Sequence, residues 1–251
     1  MQIEVCYSPL SFPLYQNPNA IVVVIDVLRA TSAITTAFYH GVSKMIPVSS
    51  IEEALKYKQE GLLVAAERDG EIVDGFDLGN SPFAYMNERV KGKTIAITTT
   101  NGTRAIEAAS SAKEIIVGSF LNLDIVVQHL KRQKLPVIFL CAGWKNKFNL
   151  EDTIYAGAVA QALIYKYGFN TECDSTIAAM ELYNNAKHNL FEFLANSSHR
   201  NRLSKLDLER DIEYCLTPNQ CPVLPILDGK YLVKIETHKN DLMINSKILN
   251  S

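Results

Sequence analysis

The sequence predicts an α/β fold, three layers deep (α/β/α), on a mostly parallel or mixed sheet. Three observations carry this. Short β-branched runs recur as far as residue 141. Helical patterns separate most of them, as βα units require. Several runs end in hydroxyl, carboxylate or cysteine side chains instead of a two-residue hairpin turn.

Each element has its own signal. A first apolar run covers 3–7. The second, 21–26, reads Ile21-Val22-Val23-Val24-Ile25-Asp26, and its five β-branched residues suit a strand buried on both faces. A helical pattern follows at 30–40. Strands are expected at 44–48 and 62–66, with a helix at 51–60 between them. Ser81 is a good N-cap and Pro82 a good first helical residue, so a helix is expected over 82–90. A strand at 94–98 runs into a helix over 102–110, and strands at 114–117 and 136–141 flank a helix over 123–133. The longest helical pattern, 151–167, lies between Asn149 as N-cap and Gly168. Residues 175–216 read as all helical, with charged faces around 199–210. Residues 223–235 read as a hairpin turning at Asp228-Gly229. The expected organisation is one domain over 1–240, or two intimate lobes, and a polar C-terminal tail over 241–251.

Composition narrows the function. Net charge is −2, without the basic excess that nucleic acid or an anionic membrane would need. No apolar run approaches the ~20 residues of a membrane span. The five cysteines form no Cys-x-x-Cys pair, so neither a zinc site nor a disulfide framework is expected. Met1-Gln2-Ile3-Glu4 has neither a basic nor an apolar signal segment, and the expected location is the cytoplasm.

The chemistry is expected at the strand ends. Thr98-Thr99-Thr100-Asn101-Gly102-Thr103-Arg104 joins hydroxyls, backbone N–H groups and a guanidinium at a helix start, which suits a phosphate. Asp26 ends another strand, and Arg29, Thr31 and Ser32 follow it; the plainer alternative for Asp26 is a helix cap. Glu67 and Arg68 end a third strand, with an ordinary acidic turn as the alternative. Asp77, Asn80 and Ser81 lie in the loop Gly75–Pro82. Glu151 and Asp152 open the long helix, where they complement its dipole or complete a metal site. Acids at turns beside an anion cradle suit Mg²⁺, which takes one or two carboxylates, substrate phosphate oxygens and waters. Common templates fail: Gly92-Lys93-Thr94 opens a strand, not a P-loop helix, and no Gly-x-Ser-x-Gly elbow occurs.

Three blocks in their order, Asp26-Val27-Leu28-Arg29-Ala30-Thr31-Ser32, Gly75-Phe76-Asp77-Leu78-Gly79-Asn80-Ser81-Pro82 and Thr98–Arg104, resemble the signature blocks of the 2-phosphosulfolactate phosphatases. The resemblance implies a Mg²⁺-dependent hydrolase of 2-phosphosulfolactate, giving sulfolactate and phosphate, a step of coenzyme M biosynthesis. It implies an α/β fold and, at the family level, a homodimer. Carried over by motif, Asp26 is a metal or catalytic carboxylate, Arg29 is an anion clamp and Arg104 lines the anion site; with Asp26, these two arginines are the expected catalytic residues. Glu67, Asp77, Glu151 and Asp152 join Asp26 at or near the metal. Asn80 and Asn101 line the anion site with Arg104; Thr31, Ser32, Ser81, Thr100, Gly102 and Thr103 are further expected phosphate-binding residues, and Arg68 is a candidate for the substrate's second anionic group. Read from the residues alone, a non-catalytic binding protein or a transferase for a phosphorylated small acid stays open.

Overall fold

The computed structural model describes residues 1–68 and 70–235. The expected tail over 241–251 lies outside the described residues.

The chain runs β1 (Ile3–Cys6), β2 (Ile21–Ile25), α1 (Ala30–Tyr39), β3 (Lys44–Pro47), α2 (Ile51–Gln59), β4 (Leu63–Arg68) and β5 (Glu71–Ile72). It continues with β6 (Thr94–Thr98), α3 (Gly102–Ala108), β7 (Glu114–Gly118), α4 (Leu123–Gln133), β8 (Val137–Cys141) and α5 (Leu150–Tyr167). Then come α6 (Asp174–Ala186), α7 (Leu190–Phe193), α8 (Ser198–Ser204), α9 (Glu209–Cys215), β9 (Pro225–Asp228) and β10 (Tyr231–Lys234). The α/β expectation holds, and the sheet is mixed.

The helix expected over 82–90 is absent. Two 3₁₀ turns stand there, Pro82–Tyr85 and Glu88–Val90. The break is local: Asn87 is extended, and its side chain accepts from the Arg89 N–H, starting a new turn. A 3₁₀ segment over Pro9–Leu14 and the two-residue β5 were not expected; both are too short for a periodic signal.

The sheet order is β1-β8-β2-β7-β9-β10-β3-β6-β4-β5. β1, β8, β2 and β7 are parallel neighbours, and so are β3, β6 and β4. The predicted hairpin β9–β10 forms, but it sits in the middle of the sheet and joins the two parallel groups. Each junction is a single antiparallel pair, Ile116 with Ile226 and Met45 with Leu232.

This topology makes the site possible. β2 and β4 are six steps apart in the order, which in a flat sheet is roughly 29 Å at the usual strand spacing. Yet the residues at their C-terminal ends line one cavity. The two parallel groups therefore curl towards each other over a shared core. Val22, Val24 and Val117 of the first group lie in one apolar cluster with Ala65, Ile95 and Ile97 of the second. Ala33 and Ala37 of α1 and Ala105 of α3 fill that cluster, and such small residues let helices sit between strands. The other face of the first group packs on α4, α5 and α6, and that of the second on α2. Gly157 of α5 has no room for a Cβ against the Ala179 carbonyl, so α5 and α6 pack backbone to backbone. Among the described residues no helix is long and apolar enough to cross a membrane.

Candidate active site

Six residues expected at the site meet in one cavity: Asp26, Arg29, Glu67, Asn80, Thr100 and Asn101. They come from the turn after β2, the end of β4, the loop before Pro82 and the turn after β6. The cavity admits little more than one water-sized sphere, ≈ 20 Å³. Leu28, Gly70, Trp144, His199, Arg202 and Leu203 complete its wall.

The turn after β2 is fixed by its own polar groups. The Asp26 N–H donates to Thr31 Oγ1 at 3.1 Å, and the Thr31 N–H donates to the Asp26 carbonyl at 2.9 Å. Ser32 Oγ donates to the Val27 carbonyl at 2.8 Å. Thr31 and Ser32 are buried and outside the cavity wall, and their hydroxyls hold the turn. The second turn is closed the same way. Thr99 Oγ1 accepts from the Thr103 N–H at 3.1 Å, and Thr103 Oγ1 donates to the Thr99 carbonyl at 3.1 Å. Gly102 is required by a close approach: a Cβ there would lie 2.8 Å from Ala30 Cβ and 3.1 Å from Asp26 Oδ2. This contact docks the start of α3 onto the Asp26 turn.

The acids separate into groups. Asp26 is buried, and that burial, opposed by His199 and reinforced by Glu67, raises its carboxyl to about 6. Glu67 accepts from the Gly70 N–H, and its Oε2 lies 3.4 Å from Asn80 Nδ2 and 3.5 Å from Thr100 Oγ1. Asp152 lies off the cavity. Its oxygens accept from the N–H groups of Val27 at 2.8 Å and Gly143 at 3.2 Å, and from Asn149 Nδ2 at 2.8 Å. It ties the β2 turn to the β8 turn. Burial, with Glu151 and Asp26 nearby, pushes its carboxyl well up. Glu151, fully buried, meets His199 Nδ1 at 2.5 Å and Asn149 Nδ2 at 3.1 Å. Burial opposes its ionisation, but the charge and hydrogen bond of His199 outweigh that, and its carboxyl lies below the usual range. Asp77 is elsewhere. Its Oδ2 accepts from the Val64 N–H at 3.0 Å, at the opposite end of β4 from Glu67, and Lys58 Nζ lies 3.5 Å from Oδ1.

The cations also separate. Arg29 is buried and donates to Asp211 Oδ2 at 2.5 Å and to the Gly70 carbonyl at 2.6 Å. Ser81 Oγ does not cap its 3₁₀ turn; it donates to Asp211 Oδ1 at 3.1 Å. Arg68 bridges the Glu67 carbonyl and Thr98 Oγ1. Arg104, expected as a catalytic cation, is exposed and absent from the cavity wall. Arg202 is on the wall, stacked on Trp144 at 4.3 Å. Of the residues the sequence did not single out, His199, Arg202 and Asp211 all come from the helical stretch after residue 175. His199 and Asp211 are buried there, and no local sequence pattern marks them.

Among the described residues no group of three or more His, Cys, Asp or Glu side chains is placed to hold a metal ion. Asp26 and Glu67 do share the cavity, and Asn80 Oδ1 is buried there without a hydrogen-bond partner. These are hard oxygen donors. Mg²⁺ needs few of them, because waters and phosphate oxygens complete its octahedron, so the set fits Mg²⁺ in kind.

A family model described as 2-phosphosulpholactate phosphatase matches residues 6–230. That span includes every cavity residue and the helical cover. The chain belongs to the 2-phosphosulfolactate phosphatase family. Curated relatives extend the match. A probable 2-phosphosulfolactate phosphatase of Thermotoga petrophila is 46% identical over 213 residues, covering 84% of this chain and 91% of the relative. Proteins of the same name from Caldanaerobacter subterraneus and Picosynechococcus sp. are 40% and 36% identical, covering 82% and 95% of this chain and 87% and 100% of the relatives. The family is one of phosphoric monoester hydrolases.

Proposed function

We propose that this chain hydrolyses the phosphate monoester of a small acidic hydroxy acid, 2-phosphosulfolactate, to sulfolactate and phosphate, with Mg²⁺ as cofactor. The observation that carries the reading is the meeting of Asp26, Glu67, Arg29 and Asn101 in one cavity, from strands far apart in the sheet order.

Asp26 and Glu67 would hold Mg²⁺, with Asn80 Oδ1 completing the protein's share. The ion would supply charge neutralisation at the phosphate oxygens. The chain's own residues do the rest. Asn101 and Thr100 offer donors to the phosphate, and Arg29 and Arg202 offer positive charge for the phosphate and the second anionic group. Phosphoryl transfer is mostly positioning and electrostatics, so this set is sufficient in kind. The acids argue against a simple anion sensor, since unpaired carboxylates beside a phosphate repel it.

The test is a phosphate-release screen over phosphorylated hydroxy acids, with MgCl₂ and with chelator. Release from 2-phosphosulfolactate that chelator abolishes supports the reading. Release unaffected by chelator would remove the metal. No release from any ester, with tight binding retained, would make the chain a binding protein.

A further inference from the structure

One buried polar group of the helical cover stands on the cavity wall: His199 on α8, 6% exposed. Its Nδ1 lies 2.5 Å from Glu151 Oε1. Glu151 is itself fixed, fully buried and held by Asn149 Nδ2 at 3.1 Å. A carboxylate only accepts, so the ring donates through Nδ1, and its orientation follows. Nε2 makes no hydrogen bond among the described residues. A buried ring, held at one nitrogen and with the other unpartnered at the wall of a reaction cavity, is built for proton transfer.

We propose that His199 is the general acid of the phosphatase reaction, held in place by Glu151, and that α8 serves to deliver it. The assignment rests on the phosphatase reading above. The ester's leaving group is a secondary alkoxide, a strong base. In a loose phosphoryl-transfer transition state the leaving oxygen carries much of the charge, and the attacking water needs little activation. Proton donation to the leaving oxygen is therefore the assistance this substrate needs most. The water oxygen bonds to phosphorus, and the ester P–O bond breaks with its electron pair moving to the alkyl oxygen. The Nε2 proton passes to that oxygen. The products are the hydroxy acid and dihydrogen phosphate, which returns one proton to Nε2 and leaves as hydrogen phosphate. The other charged groups facing the ring are Asp26 from the β2 turn, Glu67 from β4, Arg29 at the start of α1 and Arg202 on α8 itself.

The experiment is steady-state phosphate release from 2-phosphosulfolactate in saturating MgCl₂, across pH, by wild type, His199→Asn and Glu151→Gln. An acid must be protonated to act, so wild-type kcat should fall as pH rises. His199→Asn should lose about 100-fold or more in kcat, with KM within a few-fold, and its residual rate should lack that alkaline fall. Glu151→Gln should keep the fall but move it to lower pH. Near-wild-type kcat in His199→Asn, or an unchanged alkaline fall in its residual rate, would overturn the assignment. Should His199→Asn not fold, an unmoved alkaline fall in Glu151→Gln would overturn it. Absence of phosphate release by wild type would instead overturn the phosphatase reading itself.

Discussion

Arg29 and Asp211 are joined by a 2.5 Å ion pair, although 182 positions separate them in the chain. Both side chains are nearly inaccessible, at 4% and 7% exposure. The pair fastens α9 to the start of α1, and with it the helical cover to the cavity. A buried pair of this kind is weak evidence of net stability, but losing one member leaves a charge uncompensated.

Asp211→Ala should therefore destabilise the fold by about 3–5 kcal/mol. Arg29→Ala should cost a similar amount, and the double variant much less than the sum. Denaturant titration of the three variants measures this. Additive losses would mean that the two side chains act independently.

Asp26 gives stability a pH dependence of known sign. Its carboxyl titrates at about 6 in the folded chain against 3.8 as the reference value. Between those pH values the folded state holds a proton that the unfolded state has lost. Stability should fall as pH rises through that window, by on the order of 3 kcal/mol, and the penalty is absent below it. Asp26→Asn should remove this slope. Mg²⁺ should raise the melting temperature above pH 6 and much less below pH 5, because it requires the carboxylate. Thermal melts across pH, with and without MgCl₂, check both statements.

Gly102→Ala should damage the site more than the fold. The new methyl would meet Ala30 Cβ and crowd Asp26 Oδ2, and relief requires the two turns to separate. The expected cost is about 1–3 kcal/mol of stability with a larger proportional loss of kcat/KM. Unchanged kcat/KM would show that the contact does not position Asp26.

Arg104 should matter less than the sequence suggests, and Arg202, which the sequence did not single out, should matter more. Arg104→Ala should change kcat/KM by less than about threefold, as for a solvated arginine. Arg202→Ala should raise KM for a substrate with a second anionic group more than for a simple alkyl phosphate. Kinetics of both variants on the two substrates decide the matter.

These contrasts mark how far the sequence could be read. Strand ends are legible because a carboxylate or hydroxyl after a β-branched run has few structural uses, and Asp26, Glu67 and Thr100 meet as their positions suggest. The motif could not show which hydroxyls a turn consumes. Thr31, Ser32, Thr99 and Thr103 close the backbone turns that carry the site. Asp77 sits in a signature block but clamps the far end of β4. The cover was legible as helix and not as function. His199 and Asp211 acquire meaning from partners 48 and 182 positions away, which no local pattern encodes. The central hairpin is similar: Asp228-Gly229 announces the turn, but the partners Ile116 and Met45 are distant in sequence.

In the proposed function Asp26, at the meeting point of the two turns, supports Mg²⁺-dependent cleavage of 2-phosphosulfolactate. The most direct measurement is phosphate release from that ester in MgCl₂ by wild type and by Asp26→Asn, with folding of both verified by thermal melts. Wild type should turn over, and a folded Asp26→Asn should lose about 100-fold or more. A folded Asp26→Asn that turns over like wild type would contradict this role for Asp26.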